Sequence, residues 1–152
     1  SRYYQITAID VFSRKRVLSI VNENSTYTSS CFLETLEDKI GFKIEHLQTD
    51  NGKEFCNDPE QTDKESRFEK MMKKLEIKHI RTAPYSPWEN GHVERSHRED
   101  EERFYRKRRF VSEEEMIKAV KRYESISNGT YRKVLDFKSS EEVIQEYFEN
   151  AS

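Results

Sequence analysis

Apolar and polar positions change period several times along the 152-residue chain, and each change marks an element. Residues 3–10 (YYQITAID) and 15–21 (KRVLSIV) are aromatic and β-branched, which suits pleated, half-buried strands. A short V-F-S-R segment separates them, with Asp10 and Ser13 as turn formers, so the two strands read as a hairpin. From residue 26 the period becomes helical. Phe32, Leu33, Leu36 and Ile40 share one stripe, Asn24 or Ser25 can cap the start, and Gly41 stops the helix. Residues 42–49 read as a third strand ending at Asp50, followed by a tight Asn51-Gly52 turn. Residues 56–66 are polar and acidic and read as a loop or insertion. A helix over 67–76 sets Phe68, Met71, Met72 and Leu75 at helical spacing, the methionines as core filler. Residues 77–81 form a short fourth strand.

Residues 82–109 begin as a loop punctuated by Pro84, Pro87 and Gly91 and become a long, highly charged helix. Ser86 with Glu89 reads as a capping box and Pro87 suits the first helical position, although Gly91 shifts the settled start toward Gly91 or His92. Few positions of this helix are apolar, chiefly Val93, Phe104 and Tyr105, so most of it answers to water, DNA or a partner. Ser112 with Glu115 opens another helix, with Met116, Ile117, Val120 and Tyr123 inward and Asn128-Gly129 closing it. Ser139 or Ser140 caps a last helix, with Val143, Ile144, Tyr147 and Phe148 on one side. The order β-β-α-β-α-β-α-α-α predicts an α/β fold, a mixed sheet with helices packed on it.

Composition narrows the class. Apolar content of 34% against 37% charged residues implies a lean core under charged helix faces, within one domain spanning residues 1–152. No run reaches the length of a membrane span. Cys31 and Cys56 make neither a disulfide framework nor a C-x-x-C zinc pattern, and the 4 histidines show no H-x-x-x-H pair. A reducing, cytoplasmic setting fits best. The net charge of −2 is unlike that of a stand-alone nucleic-acid binder, so DNA would be met through a local patch or with help from other domains.

Two carboxylates stand out. Asp50 sits at the C-terminal end of a strand, the edge where ligand sites of open α/β sheets gather. Glu94 falls in the first turns of the charged helix, and Asn90, Glu94 and Arg98 are spaced i, i+4, i+8 on one face. Such a face could hold a divalent metal beside a phosphate; a solvated helix face is the more ordinary fate of such charge.

The fragments T-D-N-G-K-E-F (49–55), P-Y-S-P-W-E-N-G-H-V-E-R (84–95) and D-V-F-S-R (10–14) are each weak alone but together resemble the catalytic core of retroviral integrases and bacterial insertion-sequence transposases. Those enzymes are DDE recombinases with a ribonuclease-H-like fold, and the resemblance covers nearly the whole chain. Residues 133–144 (KVLDFKSSEEVI) look like the tail of the transposases, within a C-terminal helical part of the same domain, residues 110–152.

The resemblance implies that Asp50 is the second metal-binding aspartate and Glu94 the metal-binding glutamate, and that both are catalytic. Asn90 matches a loop position that touches substrate DNA, Arg98 a basic position at the terminal phosphates or bases, and the neighbouring Arg95 joins them as a DNA-binding candidate. The interval from Asp50 to Glu94 exceeds the family's, and the insertion at 56–66 accounts for the excess. One turn beyond Arg98, where the family often has a second basic residue, stands Glu101. Asp10 reads as a turn residue rather than a metal ligand. The first strand, with the first catalytic aspartate, is then expected upstream of Ser1, leaving a gap between two strands and a fragment inactive by itself.

The implied activity is metal-dependent cleavage of DNA ends, followed by transfer of the freed 3′-hydroxyl into target DNA, with Mg²⁺ or Mn²⁺ as cofactor. The implied partners are transposon ends, target DNA and further copies of the chain in a homodimer or higher oligomer. A ribonuclease-H-like nuclease that only hydrolyses, and an inert structural or dimerisation module, are the alternatives. Arg103, Arg106, Lys107, Arg108 and Arg109 could also line DNA. Intrahelical pairing with Glu99, Asp100, Glu101 and Glu102 is an equally good account of most of these.

Overall fold

A computed structural model describes residues 2–82 and 91–151. The aromatic and β-branched runs form β1 (Tyr4–Ile9) and β2 (Arg16–Val21), paired as a two-stranded sheet. Their connection is a side-chain-stabilised turn. Asp10 Oδ2 accepts from the Ser13 amide at 2.9 Å and the Ser13 hydroxyl at 2.6 Å, and the Arg14 amide donates to the Asp10 carbonyl at 2.7 Å. Asp10 is thus occupied as a turn residue.

Helix α1 (Thr26–Ile40) starts at Ser25 through a reciprocal capping box with Thr28 and ends at Gly41, whose φ of 95° is the left-handed conformation that glycine adopts without strain. The third strand, β3 (His46–Thr49), is shorter than the apolar pattern of 42–49 predicts. The Ile44 amide donates to Glu37 Oε2 at 2.9 Å and so is tied back to α1, and the pairing with β4 opens only at the Glu45 carbonyl, which accepts from the Lys78 amide at 2.9 Å. Helix α2 (Arg67–Lys74) opens on a Ser66–Glu69 capping box, and β4 (Lys78–Arg81) runs parallel to β3 with Thr49 opposite Arg81. The strands stand in two pairs, β1–β2 and β3–β4, with no ladder joining them among the described residues.

Helix α3 (Gly91–Arg103) stops short of residue 109. Phe104 leaves helical geometry (φ −121°, ψ −67°) and buries its ring against Tyr123 at 4.8 Å and Phe110 at 5.7 Å, after which Tyr105–Lys107 make a single 3₁₀ turn. Helices α4 (Glu113–Gly129) and α5 (Ser140–Ala151) follow, opened by Ser112 and Ser139. Tyr147 and Phe148, from the apolar side of α5, are 55% and 50% exposed. Ring contacts of Tyr147 with Phe12 (5.7 Å) and Phe148 (5.3 Å) leave both on the surface.

The chain divides into two compact units. The first holds Ser1–Ile6 and Ile20–Gly91, with α1 packed on α2 over a core of Phe32, Leu33, Leu36, Ile40, Phe68 and Met72. The second holds Thr7–Ser19 and His92–Ser152, and its interior is largely polar. Arg16 and Asp100, 3% and 1% exposed, form an ion pair at 2.7 Å. Asp100 Oδ1 also accepts from the Tyr123 hydroxyl at 2.8 Å, and Arg16 donates to Ser127 Oγ at 3.2 Å. Burial and the neighbouring Asp100 carboxylate push the Tyr123 phenol up to about 12, so it stays a donor.

Helix α4 also occupies the open side of β2. Asn128 accepts from the Arg16 amide and donates to the Arg16 carbonyl, both at 2.9 Å, and Glu124 Oε2 accepts from the Leu18 amide at 2.7 Å. Two side chains one helical turn apart thereby satisfy backbone groups that an adjacent strand would otherwise take. The sequence pattern offers Asp100 as one of four acids for pairing within the charged helix. The structure buries it because Arg16, the buried first residue of β2, needs a carboxylate to leave water.

Removing one member of a buried pair strands the other charge. Asp100→Asn should destabilise the fold by about 3–5 kcal/mol, whereas a joint Arg16→Met/Asp100→Leu exchange should recover most of that loss. Urea unfolding of the two variants beside the parent measures both, and equal losses would contradict the pairing.

Candidate active site

Asp50 leaves the end of β3 on a short, tightly held turn. The Thr82 amide donates to the Thr49 carbonyl at 3.0 Å, and Asn51 Nδ2 donates to the Thr82 carbonyl at 3.1 Å. Asn51 thus continues the β3–β4 pairing past the last ladder bond and fixes the backbone on both sides of Asp50. Asp50 Oδ1 accepts from the Gly52 amide at 2.8 Å, an Asx turn, while its Oδ2 makes no hydrogen bond with a described residue. The side chain is exposed. Gly52 leaves room for a neighbour: a Cβ there would stand 2.6 Å from Glu54 Oε2, so the Glu54 carboxylate folds back over the turn.

The layer beneath is neutral. Thr49 Oγ1 donates to the Asp50 carbonyl at 2.8 Å and lies 2.6 Å from His79 Nε2. With the hydroxyl hydrogen committed to that carbonyl, His79 carries its proton on Nε2 and donates to Thr49. Burial, and then the Arg81 guanidinium, hold the His79 imidazole below its ordinary value. Its ring stands edge-on to Phe68 at 5.6 Å, and Phe68 packs on Phe55 at 5.1 Å. Arg81 pairs with Glu69, tying the end of β4 to α2. Burial pushes the Cys56 thiol up, opposed by the Arg81 guanidinium and helped by the carboxylates Glu69, Asp50 and Glu54, the setting of a structural cysteine.

Glu94 lies in the first turn of α3, exposed, and makes no hydrogen bond or ion pair with a described residue. Arg98, one turn on, is likewise exposed and unpaired among the described residues. Arg95 turns toward His92 Nδ1 at 2.9 Å, and His92 Nε2 lies 3.4 Å from Arg14. A neutral ring accepts at one nitrogen only, and the shorter contact makes Nδ1 the acceptor of Arg95. Arg14 of the D-V-F-S-R turn thereby reaches the first turn of α3, a neighbourhood the sequence reading did not find. Arg103 pairs with Glu99 at 3.1 Å, the intrahelical pairing the charge pattern allowed. Asn90, and the proposed Ser86–Glu89 cap, lie outside the described residues.

The donor chemistry of Asp50 and Glu94 fits a hard divalent cation, since both present exposed carboxylate oxygens. Among the described residues no group of three or more His, Cys, Asp or Glu side chains gathers as a metal site. No helix among them is long and apolar enough to cross a membrane.

Comparison with known proteins gives these local arrangements a family context. The sequence profile described as "Integrase core domain" matches residues 1–87. A search of curated proteins finds no match. A chain from the cryo-EM structure of the simian T-cell lymphotropic virus intasome in complex with PP2A regulatory subunit B56 gamma is similar at TM-score 0.73 and 17% identity. The similarity covers 93% of this chain and 48% of that one, so this chain spans about half its length. The crystal structure of the BIV integrase catalytic core domain gives TM-score 0.67 at 18% identity, covering 98% of this chain and 96% of that one. The α/β fold is therefore the ribonuclease-H-like fold of integrase catalytic cores.

Partial burial, then the positive charges of Arg14 and Arg95, lower the His92 pKa below its ordinary value of 6.5. The neutral form is the one folding favours, so this contribution to stability is complete above pH 6.5 and is lost as pH falls through the lowered value. An NMR titration should place the His92 midpoint below 6.5, and Arg14→Gln should move it upward. A midpoint unmoved by that substitution would remove Arg14 from the contact.

Proposed function

This chain belongs to the integrase core domain family, and on that premise we propose that it cleaves DNA ends and transfers the freed 3′-hydroxyl into target DNA. The observation that carries the reading is the T-D-N-G-K-E-F turn, which holds an exposed Asp50 carboxylate at a strand end with one oxygen uncommitted. Family membership supports DNA recombination in general; the metal, the two-step chemistry and the residue roles are our proposal.

In this reading Asp50 and Glu94 supply hard oxygen ligands for Mg²⁺ or Mn²⁺. Bound there, the cation supplies Lewis acidity toward phosphate oxygens and lowers the pKa of an attacking water. The chain's own groups do the remainder. Asn51 and Thr49 hold the Asp50 backbone from both sides, so the carboxylate meets its ligand without reordering. Arg98 stands one turn from Glu94 on α3, placed to contact a phosphate oxygen of DNA. Arg95 and Asn90 are assigned to DNA as well, Arg95 through the cationic cluster with His92 and Arg14.

The two alternatives separate by product. With a DNA end carrying a free 3′-hydroxyl, the intact protein should join that end to a target duplex in Mg²⁺. Nicked product without joining would make it a hydrolytic nuclease, and no product of either kind would make it a structural module. Asp50→Asn and Glu94→Gln should each lower joining by at least about a hundredfold, the scale of losing one group that stabilises transition-state charge. Full joining by either variant would remove that residue from the site.

A further inference from the structure

The second unit contains a cationic notch that the proposed reaction does not use. A cavity of about 470 Å³ is lined by Lys107, Arg108 and Arg109 on one side and Lys118 and Arg122 of α4 on the other, over Phe110 and Ala119. At about 30 Å³ per water it holds a hydrated group much larger than one bare ion. Its single carboxylate, Glu115, is already committed, accepting from the Val111 amide at 2.8 Å.

Some cations elsewhere are matched by acids, among them Arg16 with Asp100, Lys43 with Glu37 and Arg81 with Glu69; what sets the notch apart is five cations lining one cavity with a single carboxylate. In the notch, Lys107, Arg109 and Arg122 make no ion pair with a described residue. Arg108 rests on the Phe104 ring at 5.4 Å, which orients the guanidinium without neutralising it. Lys118 has one partner, Glu114 at 3.2 Å, and both are exposed, so the pair is weak and exchangeable. Lys118 and Arg122 are moreover spaced i, i+4, a like-charge repulsion within α4 that an anion would relieve. On a chain whose net charge is −2, so local an excess of positive charge focuses on a polyanion.

We propose that this notch binds the phosphate backbone of duplex DNA as a docking site additional to the Asp50 and Glu94 carboxylates. Three of its five cations are guanidinium groups, whose forked donors match phosphate oxygens. A lining of cations over Phe110 and Ala119 suits contact to the phosphate backbone. The identity of the polyanion as DNA rests on the preceding proposal; the excess of cations does not.

The test is equilibrium binding of a fluorescent duplex by the intact protein in EDTA, over about 50 to 200 mM salt. Working without divalent metal keeps the result separate from the fate of Asp50 and Glu94. The Arg109→Gln/Arg122→Gln variant should weaken binding and flatten the plot of log K against log salt by about 1.8, two contacts at about 0.9 each. Lys43→Gln/Lys73→Gln, in the first unit, should leave the slope as it was. If the double variant melts early, Arg109→Gln alone should flatten the slope by about 0.9. An unchanged slope in a variant that melts like its parent would overturn the site. An equal loss of affinity for polyglutamate would overturn duplex DNA as its occupant.

Discussion

The ion pair between Arg16 and Asp100 is the constraint on which the second unit depends. Its interior has little apolar surface to bury, chiefly Ala8, Val17, Leu18, Phe104 and Val120, and it closes around a guanidinium and a carboxylate instead. Two charges leave water only where each finds the other and their remaining hydrogen-bonding atoms find partners. Tyr123 and Ser127 supply those partners from α4, Asp100 arrives from α3, and Arg16 comes from β2. One interaction therefore sets three elements against each other. Glu94 rides on the same helix as Asp100, so the buried pair also determines where that carboxylate is presented.

Asn128 and Glu124 extend the logic from side chains to backbone. They bond the free side of β2 at Arg16 and Leu18, positions where an unpaired strand would invite another. In the first unit the corresponding device is Asn51. It prolongs the β3–β4 pairing beyond its last ladder bond, so the turn that begins at Asp50 is held where an ordinary loop would fray. Each candidate carboxylate is thus exposed on an ordered support of its own unit, Asp50 on the turn after β3 and Glu94 on α3.

Much of this was legible in the chain. Three helix starts carried a readable signature, since Ser25, Ser112 and Ser139 each accept from a backbone amide three residues on; Ser66 caps α2 in the same way without having been singled out, and the cap read for α3 lies outside the described residues. Gly41 stopped α1 as a left-handed residue must, and Asp10 closed its turn through Ser13. What the pattern could not reveal were partners distant in sequence. Asp100 read as one more acid for intrahelical pairing in E-D-E-E, while its true partner Arg16, at the start of β2, lies 84 positions away. The strand forecast over 42–49 overran because Ile44 bonds a glutamate of α1. The charged helix ended early because Phe104 gained more from burial than from helical continuity. Arg14 meeting His92 was hidden for the same reason: neither residue's own neighbourhood points to the other.

The central proposal is that the Asp50 and Glu94 carboxylates hold divalent cations in a chain of the integrase core family. Its most direct measurement is a crystal structure of the intact protein grown with Mn²⁺, read through the metal's anomalous scattering. Peaks within ligand distance of the Asp50 and Glu94 carboxylate oxygens, about 2.0–2.6 Å for hard cations, are the predicted result. Anomalous density confined to other side chains, with Asp50 and Glu94 left to water, would contradict it.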